Sequence, residues 1–305
     1  MHAHARRPAH RGALRCLALV PILALLAVLG PQAPPAHGQT ALTAAATIDV
    51  FADFARQVGG DRVEVIQLLG DGVDPHDYQM VPGDLANINR SQILFYNGYN
   101  LEPWLSGVLA GAAGPGLRLV QLTEGLTPIV IGNSPNPHFW MNPQLAARYV
   151  ERIRDAYTTA DPAGADTYQA NAARYLDQLA QLDRDLESQL SQIPPENRKL
   201  VTAHDAFPYF ARRYGFELIG AVLSGEAQEP SPNQMIALIR QVRQLGVRAV
   251  FTEPQFNPRL MEQVAREAGV GLVITYSDTF PADGSVRTYD QMMRANGNNI
   301  TAALR

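Results

Sequence analysis

The longest regular pattern in this chain is a run of apolar residues near its middle, spaced three and four positions apart as on one face of an α-helix. Its members are Tyr168, Ala172, Tyr175, Leu176, Leu179, Leu182, Leu186, Leu190 and Ile193. Asp161 and Pro162 precede the run as an N-cap and a first helical position, and Pro194 follows it, so the pattern predicts one helix over residues 161–193. Such a helix, roughly 30 residues long at 1.5 Å per residue, would cross a small domain. It is either an ordinary surface helix or a rigid connector between two lobes.

Segments typical of β-strands alternate with helix-like segments on both sides of this helix. The strand-like segments lie at 62–69, 93–97, 118–122, 199–203, 217–222, 247–252 and 271–276. Helical stretches at 232–245 and 258–268 separate the later strands, which is the βαβ order of parallel sheets. The sequence therefore predicts an α/β fold, in which ligands bind beyond the carboxyl ends of the strands.

The N-terminus has the three parts of a secretory signal peptide. Four arginines at positions 6, 7, 11 and 15 precede an apolar run at 16–30, and the small-residue stretch at 36–38 is a plausible cleavage site. The apolar run is shorter than the roughly 20 residues that a membrane span needs. We therefore predict a signal peptide at 1–38.

The position of the single cysteine and the net charge limit where the protein is expected to be located and which partners it is expected to bind. The only cysteine, Cys16, lies at the start of the apolar run and not after it, so we expect no lipid anchor and a periplasmic protein. Removing residues 1–38 removes four arginines and no acidic residue, which shifts the formal charge from −4 to −8. A chain of this charge has no evident attraction for nucleic acid or an anionic membrane surface.

Only three histidines remain after residue 38, and each lies in a loop-like motif. They are His76, His138 and His204. His204 directly follows a predicted strand, and Asp278 follows another, so we take Asp278 as a candidate fourth ligand. A single loop histidine is more often a hydrogen-bonding residue, and an aspartate after a strand is more often a cap or turn residue. The joint pattern favours a metal site, and three imidazoles with one carboxylate suit zinc.

Four ordered motifs carry a resemblance to a known family. They are Asp74-Pro75-His76-Asp77-Tyr78, Pro137-His138-Phe139-Trp140, Ala203-His204-Asp205-Ala206-Phe207 and Tyr276-Ser277-Asp278, supported by the segments Asn97-Gly98-Tyr99-Asn100-Leu101-Glu102 and Thr252-Glu253-Pro254-Gln255. From about residue 43 onward the chain resembles the metal-binding periplasmic components of zinc and manganese ABC importers. These are the cluster A-I substrate-binding proteins, which include the ZnuA, TroA and AztC types.

The resemblance implies two α/β lobes joined by one long backbone helix, with the metal site in the cleft between them. The lobes would span residues 39–160 and 194–305, with the linker helix at 161–193. His76 and His138 would come from the N-terminal lobe, and His204 and Asp278 from the C-terminal lobe. The resemblance also implies a monomer that is not an enzyme and that delivers its metal to a membrane permease driven by a cytoplasmic ATPase.

Zinc is the expected cargo, because manganese-type relatives tend to have a carboxylate where this chain has His204. Manganese or iron is the alternative within the family. Two departures from the family pattern are Asn136 and Asn142, where acidic residues are common. The segment at 126–136 also lacks a histidine-rich insertion, which suggests direct capture of zinc or transfer from a periplasmic donor protein.

The sequence alone leaves two other classes of function open. A zinc-dependent hydrolase would need an open coordination position and a general base, for which Glu253 is the candidate, although no His-Glu-x-x-His helix is present. A zinc buffer or adhesin that never meets a transporter would have the same ligands. The aromatic residues Tyr78, Trp104, Trp140 and Phe207 either line the cleft or form the core that supports the loops.

Overall fold

The computed structural model of this protein describes residues 42–112, 114, 116–223 and 230–305. The predicted signal peptide and Cys16 lie outside these residues. Among the helices of the described residues, none has the length and apolar content needed to cross a membrane.

Two parallel sheets, each with four strands, organise the described part of the chain. Its strands are β1 (Leu42–Ala46), β2 (Val63–Gln67), β3 (Ile93–Tyr96), β4 (Arg118–Gln121), β5 (Val130–Ile131), β6 (Ser134–Pro135), β7 (Lys199–His204), β8 (Glu217–Leu223), β9 (Ala249–Thr252) and β10 (Gly271–Ile274). Its α-helices are α1 (Asp49–Gly59), α2 (Pro82–Asn89), α3 (Pro143–Ala160), α4 (Ala165–Leu190), α5 (Pro208–Tyr214), α6 (Pro232–Gln244), α7 (Arg259–Ala268) and α8 (Tyr289–Leu304).

The two sheets have related strand orders. The first runs β2-β1-β3-β4 and the second β10-β9-β7-β8, and all neighbouring strands within them are parallel. Strands β5 and β6 form a separate antiparallel hairpin. The predicted fold class, two α/β lobes with parallel sheets, is confirmed.

All seven predicted strands are present; the β5–β6 hairpin and, within the first sheet, strand β1 were not predicted. This strand reads Leu-Thr-Ala-Ala-Ala and lies between β2 and β3 in the first sheet. Alanine has low intrinsic strand propensity, so the segment carries no local signal. Its alanines are buried, and the strand is held by pairing on both sides, which outweighs propensity.

The long helix α4 is present, but it begins later than the pattern predicts. Residues Pro162–Gly164 form a 3₁₀ turn and α4 starts at Ala165, so Asp161 is not the N-cap of the α-helix. The Asp161 carboxylate instead accepts hydrogen bonds from Arg62 and from the hydroxyl of Tyr168. Asp161 is thus the N-cap residue of the 3₁₀ turn that precedes α4.

Helix α4 buries its predicted apolar face against helices from both halves of the chain. It packs on α1 and α3, which precede it, and on α8, which follows the second sheet. All predicted positions are buried except Leu176, which is half-buried. The helix thus contributes to a core shared by residues of both lobes.

A buried ion pair fixes α4 to its neighbours on both sides. Asp183 of α4 accepts two hydrogen bonds from the guanidinium of Arg213 in α5, at 2.9 and 2.8 Å. The same carboxylate accepts from the hydroxyl of Tyr214 at 3.0 Å and from the amide of Gln144 in α3 at 2.9 Å. Asp183 therefore joins three helices through one charge.

Replacing Arg213 with methionine is expected to lower the free energy of unfolding by about 3 kcal/mol, because it leaves the buried Asp183 without its cation. Urea denaturation of the metal-free protein measures this loss. The matched control is Arg294→Met, since Arg294 pairs with Asp185, whose side chain is 39% exposed. A loss for Arg213→Met no larger than that of the control would contradict the prediction.

Candidate metal centre

His204 and Asp278 lie at the carboxyl edge of the second sheet. His204 is the last residue of β7, and Asp278 follows the end of β10, which is in the same sheet. Because the carboxyl ends of parallel strands meet at one edge, both side chains reach the same space. The side chains of His204 and Asp278 are buried.

His76 and His138 come from loops after the strands of the first sheet. The His76 loop follows β2, and its turn is fixed where the backbone N–H of His76 donates to the Asp74 carboxylate at 2.9 Å. The indole N–H of Trp104 donates to the carbonyl of Pro75 at 3.1 Å, which supports the same loop. His138 lies just after the β5–β6 hairpin and is buried.

The structure brings all four predicted residues together. One donor atom from each of His76, His138, His204 and Asp278 lies within 4.8 Å of every other. The Nε2 atom of His138 is 3.3 Å from the Nε2 atoms of both His76 and His204. Donors bound at about 2.0 Å to a tetrahedral ion would lie about 3.3 Å apart.

Asp278 supplies the negative charge of this cluster. Its Oδ2 atom lies 2.9 Å from Nε2 of His204, and its Oδ1 atom lies 3.2 Å from Nε2 of His138. Apart from the imidazoles, no group of the described residues donates a hydrogen bond to either oxygen. A buried carboxylate with this little support is costly without a cation, which is what a metal site provides.

The surroundings shift the pKa values of the two buried histidines in opposite directions. Burial disfavours a charged imidazole and lowers the pKa of His138 to about 4. Burial acts in the same direction on His204, but the carboxylates of Glu253 and Asp278 outweigh it and raise the pKa of His204 well above its ordinary value. In return, the imidazoles of His204 and His138 overcome the effect of burial on Asp278 and hold its pKa well below the ordinary value.

Each buried histidine has a hydrogen-bond partner on the side away from the cluster. Nδ1 of His204 lies 3.0 Å from Oε1 of Glu253, which is buried at the end of β9. Nδ1 of His138 lies 3.1 Å from Oδ1 of Asn136. Because these oxygens accept the Nδ1 proton, Nε2 of each imidazole faces the cluster and can bind a metal there once Nε2 carries no proton.

The two asparagines that depart from the family pattern have different roles. Asn136 supports His138 with a neutral amide, and its Nδ2 also donates to the carbonyl of Asp205 at 2.6 Å. A carboxylate at position 136 lacks this second donor. Asn142 is not part of the cluster: it is the N-cap of α3 and accepts a hydrogen bond from the backbone N–H of Gln144. An asparagine caps a helix about as well as an aspartate.

The role of the Asn97–Glu102 segment was missed in the sequence analysis. The amide of Asn97 donates to the carbonyl of Pro137, the residue before His138. Glu102 closes the segment by accepting from the backbone N–H groups of Asn97 and Gly98, and burial raises its pKa to about 7. Tyr99 and Asn100 both have positive φ angles, a strained conformation outside glycine. The polar residues of this segment suggest a role in the site. Their partners lie far away in the sequence, so the contacts themselves could not be predicted.

The aromatic residues support the loops. Trp140 and Phe207 are fully buried, and the indole N–H of Trp140 donates to the carbonyl of Ser277, next to Asp278. Tyr78 packs edge-on against Trp104. Phe256, which the sequence analysis did not single out, lies with its ring centroid 4.9 Å from that of His204. These contacts restrict the imidazole and loop positions.

With this geometry established, comparison with known proteins decides the family. Residues 45–303 match the family described as "Zinc-uptake complex component A periplasmic". The chain belongs to this family. It is one of solute-binding proteins of metal ABC transporters and not of enzymes, so the prediction of a non-enzymatic binding protein is confirmed. The hydrolase alternative has no support in these comparisons.

Three relatives illustrate the range of metals named in the family. The chain is 31% identical to the iron-binding protein YfeA of Yersinia pestis, with 94% of this chain and 95% of the relative covered. It is 30% identical to the manganese-binding lipoprotein MntA of Halalkalibacterium halodurans, with 85% and 87% covered. The solved structure of the periplasmic zinc binding protein TroA from Treponema pallidum is similar with a TM-score of 0.81 at 28% identity, covering 86% of this chain and 99% of that one.

Membership of this family establishes the class of function but not which metal the protein binds. This protein is a metal-binding, substrate-binding component of an ABC transporter, which implies a permease and an ATPase as partners. The relatives are named for iron, manganese and zinc, so the family alone does not select the metal.

Proposed function

We propose that this protein binds zinc with high affinity in the periplasm and delivers it to an ABC importer permease. The proposed ligands are Nε2 of His76, His138 and His204 and the carboxylate of Asp278. The observation that carries the proposal is the donor set: three nitrogens and one oxygen converge at spacings close to those around a tetrahedral ion. Manganese prefers sites with more oxygen donors, so a third imidazole favours zinc.

The groups that hydrogen-bond to Nδ1 of the buried histidines also support zinc as the bound metal. The Glu253 carboxylate next to Nδ1 of His204 raises the basicity of that ligand, and Asn136 fixes the orientation of His138. Three neutral imidazoles and one carboxylate leave one positive charge on the bound zinc, which Glu253 offsets at a distance. The cluster is mostly buried, and His76 is its most exposed member.

The remaining parts of the proposal concern export and delivery. We propose that residues 1–38 are a cleaved signal peptide, that the protein has no lipid anchor, and that it acts as a monomer. Residues 39–160 and 194–305 would be the two lobes and 161–193 the linker. The β5–β6 hairpin is short, with a turn at Gly132, and has no histidine, so zinc would arrive directly or from a donor protein.

Competition titration tests the metal. The mature protein, stripped with a chelator, is titrated with zinc, manganese and ferrous iron against an indicator of known affinity. The proposal expects one tight zinc equivalent and much weaker manganese and iron. Tight binding of manganese or iron with weak binding of zinc would make that metal the cargo in place of zinc. If none of the three metals binds tightly, the proposal that the protein carries a metal is rejected. Uptake into vesicles that contain the permease and ATPase tests delivery.

A further inference from the structure

Asp278 differs from the buried histidines in how it is held. His138 and His204 are each oriented by a hydrogen bond at Nδ1, whereas no described group other than the imidazoles donates to the oxygens of Asp278. The position of this carboxylate therefore depends on the backbone segments on either side of it.

The segments on both sides of Asp278 are fastened to residues of the N-terminal lobe. Before it, the carbonyl of Ser277 accepts from the indole N–H of Trp140 at 2.9 Å. After it, the Thr279 hydroxyl donates to Oδ2 of Asp49 in α1 at 2.7 Å. The backbone N–H of Phe280 donates to the same oxygen at 2.6 Å.

The Thr279 hydroxyl also reaches the loop that carries His76. Its oxygen accepts a hydrogen bond from the backbone N–H of Gly72 at 2.8 Å. Gly72 has a φ of +81°, and a Cβ atom there would lie 3.1 Å from the Cβ atom of Ala282, so the two backbones are in close contact. Thr279 and Asp49 are both buried, where the loss of a hydrogen bond is most costly.

We infer that Thr279, held by Asp49, is a positioning residue of the metal site: its hydroxyl fastens the Asp278 segment to α1 and to the His76 loop, and this sets how long the metal is retained. The inference rests on the proposed function, because it requires that Asp278 be a ligand. It implies that Asp278 stays with His76 and His138 when the lobes shift. His204 is then the ligand that moves with the rest of the C-terminal lobe.

The test compares zinc release from Thr279→Val, which keeps the shape but removes the hydroxyl, with release from Thr279→Ser, which keeps the hydroxyl. Zinc-loaded protein is mixed with excess chelator in a stopped-flow instrument at pH 8. This pH keeps Asp49 mostly ionised, since burial raises its pKa to about 7. We expect release about tenfold faster from Thr279→Val, from the loss of a buried hydrogen bond, and near the wild-type rate from Thr279→Ser.

The matched control is Thr301→Val. Thr301 is a buried threonine of α8 whose hydroxyl has no partner among the described residues, so this variant should release zinc at the wild-type rate. A wild-type release rate for Thr279→Val overturns the inference even if its melting temperature falls, because a purely structural role changes stability without changing release. If that variant does not fold, Asp49→Ala takes its place, because it removes the oxygen that accepts from Thr279 and Phe280. Faster release is expected, and an unchanged rate again overturns the inference. Failure of the wild-type protein to retain zinc would instead reject the proposed function.

Discussion

Replacing Asp278 with asparagine is expected to weaken zinc binding by roughly a thousandfold. The loss of a group that only hydrogen-bonds to a metal ligand costs less, about 10- to 100-fold in affinity. The substitution removes the only anionic donor of the four and leaves three neutral imidazoles around a doubly charged ion. The carboxylate is buried and close to two of the imidazoles, and it is the one carboxylate among the four converging donors of the described residues. Competition with a chelator of known affinity measures the change in Kd.

Asp205→Asn is the matched control, because Asp205 directly follows His204 but its carboxylate is not one of the four converging donors. We expect little change in its Kd for zinc. Wild-type affinity in Asp278→Asn would remove Asp278 from the ligand set. An equal loss in both variants would indicate a general charge effect in place of coordination.

Zinc affinity is expected to fall steeply on acidification, by about tenfold for each pH unit below the pKa of His204, because zinc must displace a proton from that imidazole. The carboxylates of Glu253 and Asp278 raise this pKa well above its ordinary value, so the competition begins at a higher pH than for an ordinary histidine. His138, with a pKa lowered to about 4, stays neutral and adds no competition until the solution is strongly acidic. Between pH 8 and pH 5 the loss should reach on the order of a hundredfold or more.

Titrations at several pH values measure this dependence, and Glu253→Gln provides the comparison. The amide keeps a hydrogen-bond acceptor for His204 but removes one of the two charges that raise its pKa, so the decline should begin at a lower pH. The same decline in both proteins would contradict the assigned role of Glu253. An affinity independent of pH from 8 to 5 would contradict a protonated His204 in the metal-free state.

The metal-free protein should show the opposite dependence. A histidine whose pKa is raised by folding stabilises the folded state fully below its unfolded value of about 6.5, and this contribution is lost as pH rises through the folded value. The His204 contribution to the melting temperature should therefore decline as pH rises above about 6.5. Zinc should reverse this trend, since its binding strengthens as the proton leaves.

Much of the fold was predictable because its signals are local. The apolar spacing along α4 and the alternation of strands and helices mark the connector and both sheets within a few residues. Strand β1 was not predictable, since an alanine-rich segment becomes a strand only through its neighbours β2 and β3. The start of α4 was displaced because a 3₁₀ turn at Pro162–Gly164 precedes it, and the partner of Asp161, Arg62, lies 99 positions earlier.

The candidate site likewise has residues that could be predicted from the sequence and contacts that could not. The three histidines and Asp278 could be selected from their residue types, their scarcity and their places after strands. The groups that hold them could not, because those contacts depend on tertiary structure: Asn97 with Pro137, Asp49 with Thr279, and Phe256 with His204. Glu253 is intermediate: the sequence marked it as a candidate general base, and the structure places its carboxylate next to Nδ1 of His204.

Anomalous diffraction identifies and locates the bound metal in crystals of the mature protein grown with equal concentrations of zinc and manganese and measured at both absorption edges. We expect one strong zinc peak about 2.0 Å from Nε2 of His76, His138 and His204 and from a carboxylate oxygen of Asp278, with no manganese signal there. A manganese peak at that point, or a zinc peak bound by other residues, would contradict this expectation.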